Sequence, residues 1–174
     1  MYLTKEKYLE KVKAINNDYW NRSYKDRWVY MQEVISELKL INPKSSVEIG
    51  TMGISLIETS DCIDYEIANV DKDGSGKKII FDARKTPYPI DNKQYDVFIA
   101  LQVLEHLSPN QSNVFSEIKR ISNYAIITLP YLWNCPEDIE HHNIGMEKIC
   151  QWTNFENPYK VDIKQNRIML CYKF

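Results

Sequence analysis

IIFDARKTPYPIDNKQYDVFIALQVLEHL, residues 79–107, contains two short apolar runs, each followed at once by polar side chains. The first, 79–81, ends at Asp82. The second, 97–101, leads into Gln102 and then Glu105 and His106. Two prolines and an Asp-Asn pair mark the stretch between them as loop. Runs of this length, apolar on both faces and bounded by breakers, suit buried parallel strands.

Working outward, similar runs stand at 47–49, 67–70 and 125–129. Between 101 and 125 the pattern is helical. Ser108 suits an N-cap, Pro109 the first turn and Gln111 a capping box, and Val114, Ile118 and Ile121 share one face. Residues 53–61 fit a short helix and 72–78 a loop, and Ser122, Asn123 and Tyr124 fit a tight turn before the last run. Upstream, Tyr8, Val12, Ile15 and Tyr19 recur at helical spacing. Trp28, Met31, Ile35 and Leu38 do so in a second segment that stops before Asn42 and Pro43. The tail alternates around Gln165 and Asn166, the signature of a hairpin.

The expectation is an α/β fold: a Rossmann-like, mostly parallel sheet with helices on both faces and a C-terminal antiparallel hairpin. One domain spans 1–174, with a helical cover over 1–44, a core over 45–133, and a loop, helix and hairpin over 134–174. At 174 residues the chain suits one real core. Its 22 basic and 24 acidic side chains give a net charge of -2, which excludes the basic footprint of a nucleic-acid binder. No apolar run has the length of a membrane span, and MYLTKEKYLEK lacks the apolar stretch of a signal peptide, so a cytoplasmic protein is expected. Cys62, Cys135, Cys150 and Cys171 are widely spaced and read as free thiols. Cys135, His141, His142 and Cys150 match no compact zinc spacing, and no metal is expected.

In open α/β sheets, ligands sit beyond the carboxyl ends of the strands. The residues at those ends are Gly50, Thr51, Met52 and Gly53 after the first run, Asp71 after the second, Asp82 after the third, and Leu101 and Gln102 after the fourth. A glycine after a strand lets the backbone turn sharply beside a ligand. An acid 21 residues beyond Gly50 is placed to accept from ribose hydroxyls, and Asp82 can accept from an adenine amino group.

VEIG, NVD, the 82–107 stretch, EIKRIS and AIITLPY together resemble the class I S-adenosylmethionine (SAM)-dependent methyltransferases, most closely the type 11 branch, over about residues 45–133. The resemblance implies SAM as cofactor. Glu48, Gly50, Thr51 and Gly53 would shape the loop around its methionine part. Asp71 with Lys72 would meet the ribose, and Asp82 with Ala83 the adenine. Leu101 and Gln102 would flank the reaction centre, and Glu105 and His106 match the family's Glu-His pair. Met52 and Ile54 occupy positions where that family favours glycine, and Gly53 falls between them.

After the fifth run comes PYLWNCPEDIEHHNIGMEKICQW, the segment expected to meet the substrate. His141, His142 and His106 are the candidate catalytic bases, since imidazole titrates near neutrality. Glu105, Tyr131 and Trp133 are candidate substrate contacts. The leading expectation is a methyltransferase acting on a small molecule or sugar intermediate at oxygen or nitrogen. An inactive methyltransferase-like assembly module, and another nucleotide-binding α/β protein such as an NAD-dependent enzyme, stand as alternatives. The aromatic-rich helices (Tyr19, Trp20, Tyr24, Trp28, Tyr30) suit either a cover for the cofactor or a homodimer surface.

Overall fold

The computed structural model of the protein describes residues 1–64 and 76–174. Two helices open the chain, α1 (Lys5–Ile15) and α2 (Asp18–Ile41). Asn17 caps α2 by accepting from the Trp20 N–H at 2.9 Å, and left-handed Asn42 (φ 50°) ends it before Pro43. Next come β1 (Ser46–Ile49), β2 (Asp61–Asp64), β3 (Lys78–Ile80) and β4 (Tyr95–Leu101). A 3₁₀ turn (Leu104–Leu107), α3 (Gln111–Ile121), β5 (Ser122–Pro130), α4 (Met146–Trp152), β6 (Lys160–Lys164) and β7 (Arg167–Lys173) complete the chain.

Among the described residues, seven strands lie in the order β3-β2-β1-β4-β5-β7-β6. The first five pair in parallel, while β7 runs antiparallel to both β5 and β6. Side-chain alternation splits the core in two. Val97, Ile99 and Leu101 of β4 pack with Met31, Val34 and Leu38 of α2. Phe98 and Ala100 of the same strand pack with Val114, Phe115 and Ile118 of α3. Helices therefore cover both faces, as the binary pattern predicts. No helix among the described residues is long and apolar enough to cross a membrane.

Four local expectations are corrected. The strand beside β1 is Asp61–Asp64, six residues before the expected 67–70 run, which lies outside the described residues. Its first residue has tertiary partners: Asp61 accepts from the Lys77 N–H and the Tyr95 hydroxyl, both at 2.6 Å. Where a helix over 53–61 is expected, residues 53–60 form turns and a bridge, and Asp61 begins β2. The buried Glu48 carboxylate takes the N–H groups of Leu56 and Ile57 there, and Ile57 bridges Tyr2. Helix α3 starts at Gln111 after Asn110, without a capping box, because the 3₁₀ turn consumes Leu104–Leu107 first. It also runs straight into β5 at Ser122 with no intervening turn. Borne out are the helical first forty residues, the helix after Gly145 and the hairpin around left-handed Gln165 (φ 56°).

The loop after β3 is fastened to α3. Glu117 accepts from the Tyr88 N–H at 2.7 Å and from Arg120 at 2.6 Å, while Arg120 also donates to the carbonyls of Tyr88 and Ile90. That network fixes the approach to β4, the strand whose carboxyl end builds the site.

Candidate functional site

Strand order reverses between β1 and β4, so a crevice opens at their carboxyl ends. A cavity of about 400 Å³ lies there. Gly50, Leu101 and Gln102 border it from the sheet, Tyr19 and Arg27 from α2, and Trp133 and His141 from the segment after β5. That volume is within the usual range for small-molecule sites.

The loop after β1 makes three demands on its backbone. Gly50 (φ 66°), Met52 (φ 51°) and Gly53 (φ 85°) all occupy left-handed conformations. Two are glycines, which adopt this region freely, whereas Met52 bears a cost of about 1–2 kcal/mol. Its carbonyl is held by the fully buried Trp20, whose indole N–H donates at 3.0 Å. The loop is thus pinned from α2 through Met52 and from below through Glu48. Met52 itself adopts the positive φ, and Gly53 adds another one position later.

Past β4 the chain turns at Gln102 (φ 58°), whose side chain donates to Thr128 Oγ1 at 3.2 Å. The 3₁₀ turn then drives Glu105 inward, 1% exposed, with neither carboxylate oxygen hydrogen-bonded among the described residues. An unsatisfied buried polar group costs about 1–3 kcal/mol. Burial pushes the Glu105 carboxyl up to about 8, against the pull of Arg167 and Arg27.

Two imidazoles stand beside it. His141 Nε2 lies 4.0 Å from Glu105 Oε1, and the His106 and His141 rings meet edge to face at 4.8 Å. Each imidazole has a carboxylate at its other nitrogen. His106 Nδ1 is 2.7 Å from Glu140 Oε2 in a hydrogen bond. His141 Nδ1 is 2.7 Å from Asp138 Oδ2 in a contact outside hydrogen-bond alignment. The His141 partner holds the Asp138 carboxyl below its ordinary range. One ligating atom each from Glu105, His106 and His141 falls within 4.8 Å of the other two.

The structure brings Gly50, Leu101, Gln102, His106, Trp133 and His141 to the cavity. Glu105 stands buried behind His141. Other expected residues are occupied elsewhere. Thr51 Oγ1 contacts Cys62 Sγ at 3.5 Å, Asp82 binds Arg84 at 2.8 Å, and the buried Ala83 accepts from the Tyr88 hydroxyl. Arg84 holds the Asp82 carboxyl below its usual range. His142 shapes its own loop, accepting from the Cys135 N–H at 3.1 Å, while Tyr131 packs against the α3 side of the core. Asp71 and Lys72 lie outside the described residues. Sequence reasoning missed Ser23, Asp26 and Arg27 on α2 and Arg167 at the start of β7, all of which line the cavity. Arg167 lies over the Trp133 ring at 5.6 Å. No spacing or motif ties the three α2 residues to the strand ends.

No protein-family model matches the chain, and no curated protein matches it in sequence. Its fold has solved counterparts. A protein of Pyrococcus horikoshii OT3 superposes with a TM-score of 0.64 at 14% identity, over 91% of this chain and 92% of that one. The methyltransferase domain of a bacterial Hen1 superposes at 0.58 and 14% identity, over 83% and 97%. A SAM-dependent methyltransferase of Thermotoga maritima superposes at 0.57 and 10% identity, over 86% and 94%. The chain has the class I SAM-dependent methyltransferase fold.

Proposed function

We propose that the protein is a SAM-dependent methyltransferase acting on a small molecule or sugar intermediate, at oxygen or nitrogen. The observation that carries this reading is the convergence at the switch point. The left-handed glycine loop, the Leu101-Gln102 turn and a cluster of titratable side chains border one cavity there.

The residues fit such a cofactor. Gly50 offers a bare backbone beside the cavity, and Leu101 and Gln102 face it from the neighbouring strand. When bound, SAM supplies an electrophilic methyl group on a sulfonium. The chain's own contribution is alignment and proton handling. Trp133, Tyr19 and Arg27 wall the acceptor side, and most of the rate in such a transfer comes from positioning. The Glu105, His106 and His141 cluster lies where an acceptor's proton can be held.

Isothermal titration of the full chain with SAM and with its demethylated product tests the reading. Saturable binding of both is expected, weakened by Gly53→Ala. A folded chain that binds neither at millimolar ligand overturns it.

A further inference from the structure

The geometry points to a divalent transition-metal site formed by Glu105, His106 and His141, with its remaining coordination positions open to the cavity. Three observations converge on it. First, Glu105 is a buried carboxylate with no hydrogen-bond partner on either oxygen among the described residues. Burial without a partner disfavours its charged form, and a cation beside it supplies the missing counter-charge.

Second, the two histidines carry the arrangement that metal-ligating imidazoles adopt. Such a histidine gives one ring nitrogen to the ion and sets the other against a carboxylate, which fixes tautomer and ring orientation. Here Glu140 is at Nδ1 of His106 and Asp138 is at Nδ1 of His141, both at 2.7 Å. In both rings Nε2 is the nitrogen left for an ion, and in His141 it is the atom that faces Glu105. A structural role for His141 as a packed ring does not account for an acid on each side of it.

Third, the distances suit one ion. Ligands at about 2.1 Å in a tetrahedral shell stand about 3.4 Å apart. The Glu105 to His141 separation is 4.0 Å, and the three ligating atoms lie within 4.8 Å of one another. Closing on one ion takes side-chain shifts of about 0.6–1.4 Å on the same bond lengths. Two imidazoles and one carboxylate favour zinc, cobalt, nickel or iron over calcium or magnesium, which prefer all-oxygen shells. Three protein ligands, rather than four, is the pattern of a site that also binds substrate or water.

The role of the ion rests on the methyltransferase reading above, and it sharpens the acceptor class to a hydroxyl. An oxygen acceptor bound to the ion loses its proton to water more readily, leaving the oxygen lone pair as nucleophile. An amine acceptor gains no such activation, because coordination occupies the lone pair it must use.

Ion binding is measured without SAM. Chelator-treated full-length protein is titrated with Co²⁺ and with Zn²⁺, following heat and, for Co²⁺, the visible absorption of the bound ion. One saturable site per chain is expected. Glu105→Gln, which keeps the side-chain volume, and His141→Ala, at a partly exposed loop position, each weaken it by about tenfold or more. Asp138→Asn weakens it less. Circular dichroism verifies that each variant is folded. Absence of a saturable site in the wild type overturns the proposal. So does binding of wild-type strength in folded Glu105→Gln and His141→Ala. A chain that binds Co²⁺ through these residues but never binds SAM keeps the metal site and loses the transferase reading. SAM binding without metal binding does the reverse.

Discussion

Replacing Glu48 by glutamine changes one atom's chemistry in a site with no slack. Glu48 is 2% exposed. The Leu56 N–H approaches both of its carboxylate oxygens, at 3.0 and 2.9 Å, and the Ile57 N–H approaches Oε1 at 3.0 Å. A glutamine can present its carbonyl oxygen at the Oε1 position and keep two neutral hydrogen bonds. Its amide group then stands where Oε2 was, donor against donor with the Leu56 N–H. Hydrogen bonds to a charged partner contribute about 1.5–3 kcal/mol against about 0.5–1.5 for neutral ones. Losing the charge at two bonds removes about 2 kcal/mol, and the facing donors bring the total to about 2–3 kcal/mol. For a chain of this size that is a fall in Tm of about 4–12 °C. Thermal and urea unfolding followed by circular dichroism measure it. Because the same carboxylate holds the return of the Gly50 loop, SAM affinity falls with stability. A Glu48→Gln protein within 0.5 kcal/mol of wild type would refute the idea that this carboxylate holds the loop.

Gly53→Ala puts a Cβ on a backbone at φ 85° and is expected to cost about 1–2 kcal/mol, read in urea, with SAM binding reduced by calorimetry. The Arg120 contact lowers the Glu117 carboxyl below its ordinary 4.5, so that contact stabilises the fold fully above about pH 4.5 and fades as pH falls through the lowered value. Glu117→Gln is therefore expected to be less stable than wild type at pH 7 and to approach it by pH 3, in urea titrations at both. Glu37, nearly buried on α2, accepts from the Tyr159 hydroxyl at 2.8 Å and Lys160 Nζ at 2.6 Å. Glu37→Gln is expected to cost about 1 kcal/mol and to raise hydrogen exchange in β6, with unchanged exchange counting against that tether.

What the sequence made legible follows from which residues explain themselves locally. The 97–101 and 125–129 runs are apolar on both faces and sit in the sheet's middle, so composition alone marks them. The strand at Asp61–Asp64 is not marked, because two of its four residues are acids. For Asp61 the reason is 34 residues away, in the Tyr95 hydroxyl that donates to it. Ser108 and Gln111 make a sound capping pattern that loses to the preceding 3₁₀ turn, and that turn exists to bring Leu104, Glu105 and Leu107 inside. Within the site, Glu105 and His106 were visible as a pair. His141 as their neighbour was not, since the contact spans more than thirty residues of loop, helix and strand.

Arg167 shows a signal that was present but unused. Strand β7 reads IMLCY after Arg167 and is buried at each of those five positions, whereas β6 reads KVDIK with Val161 and Ile163 about half exposed. A strand apolar on both faces belongs inside a sheet, and one that alternates with charges belongs at its edge. The hairpin must therefore enter with β7 against β5. Because that pairing is antiparallel, the first residue of β7 falls opposite the last of β5, and the register pairs Pro130 with Arg167. Arg167 thereby reaches the carboxyl ends of the parallel strands, beside Trp133 and the cavity. Had β6 taken the inner place, Arg167 would stand one strand spacing, about 4.8 Å, farther out. The burial pattern of a terminal hairpin thus decides whether a guanidinium faces the cavity.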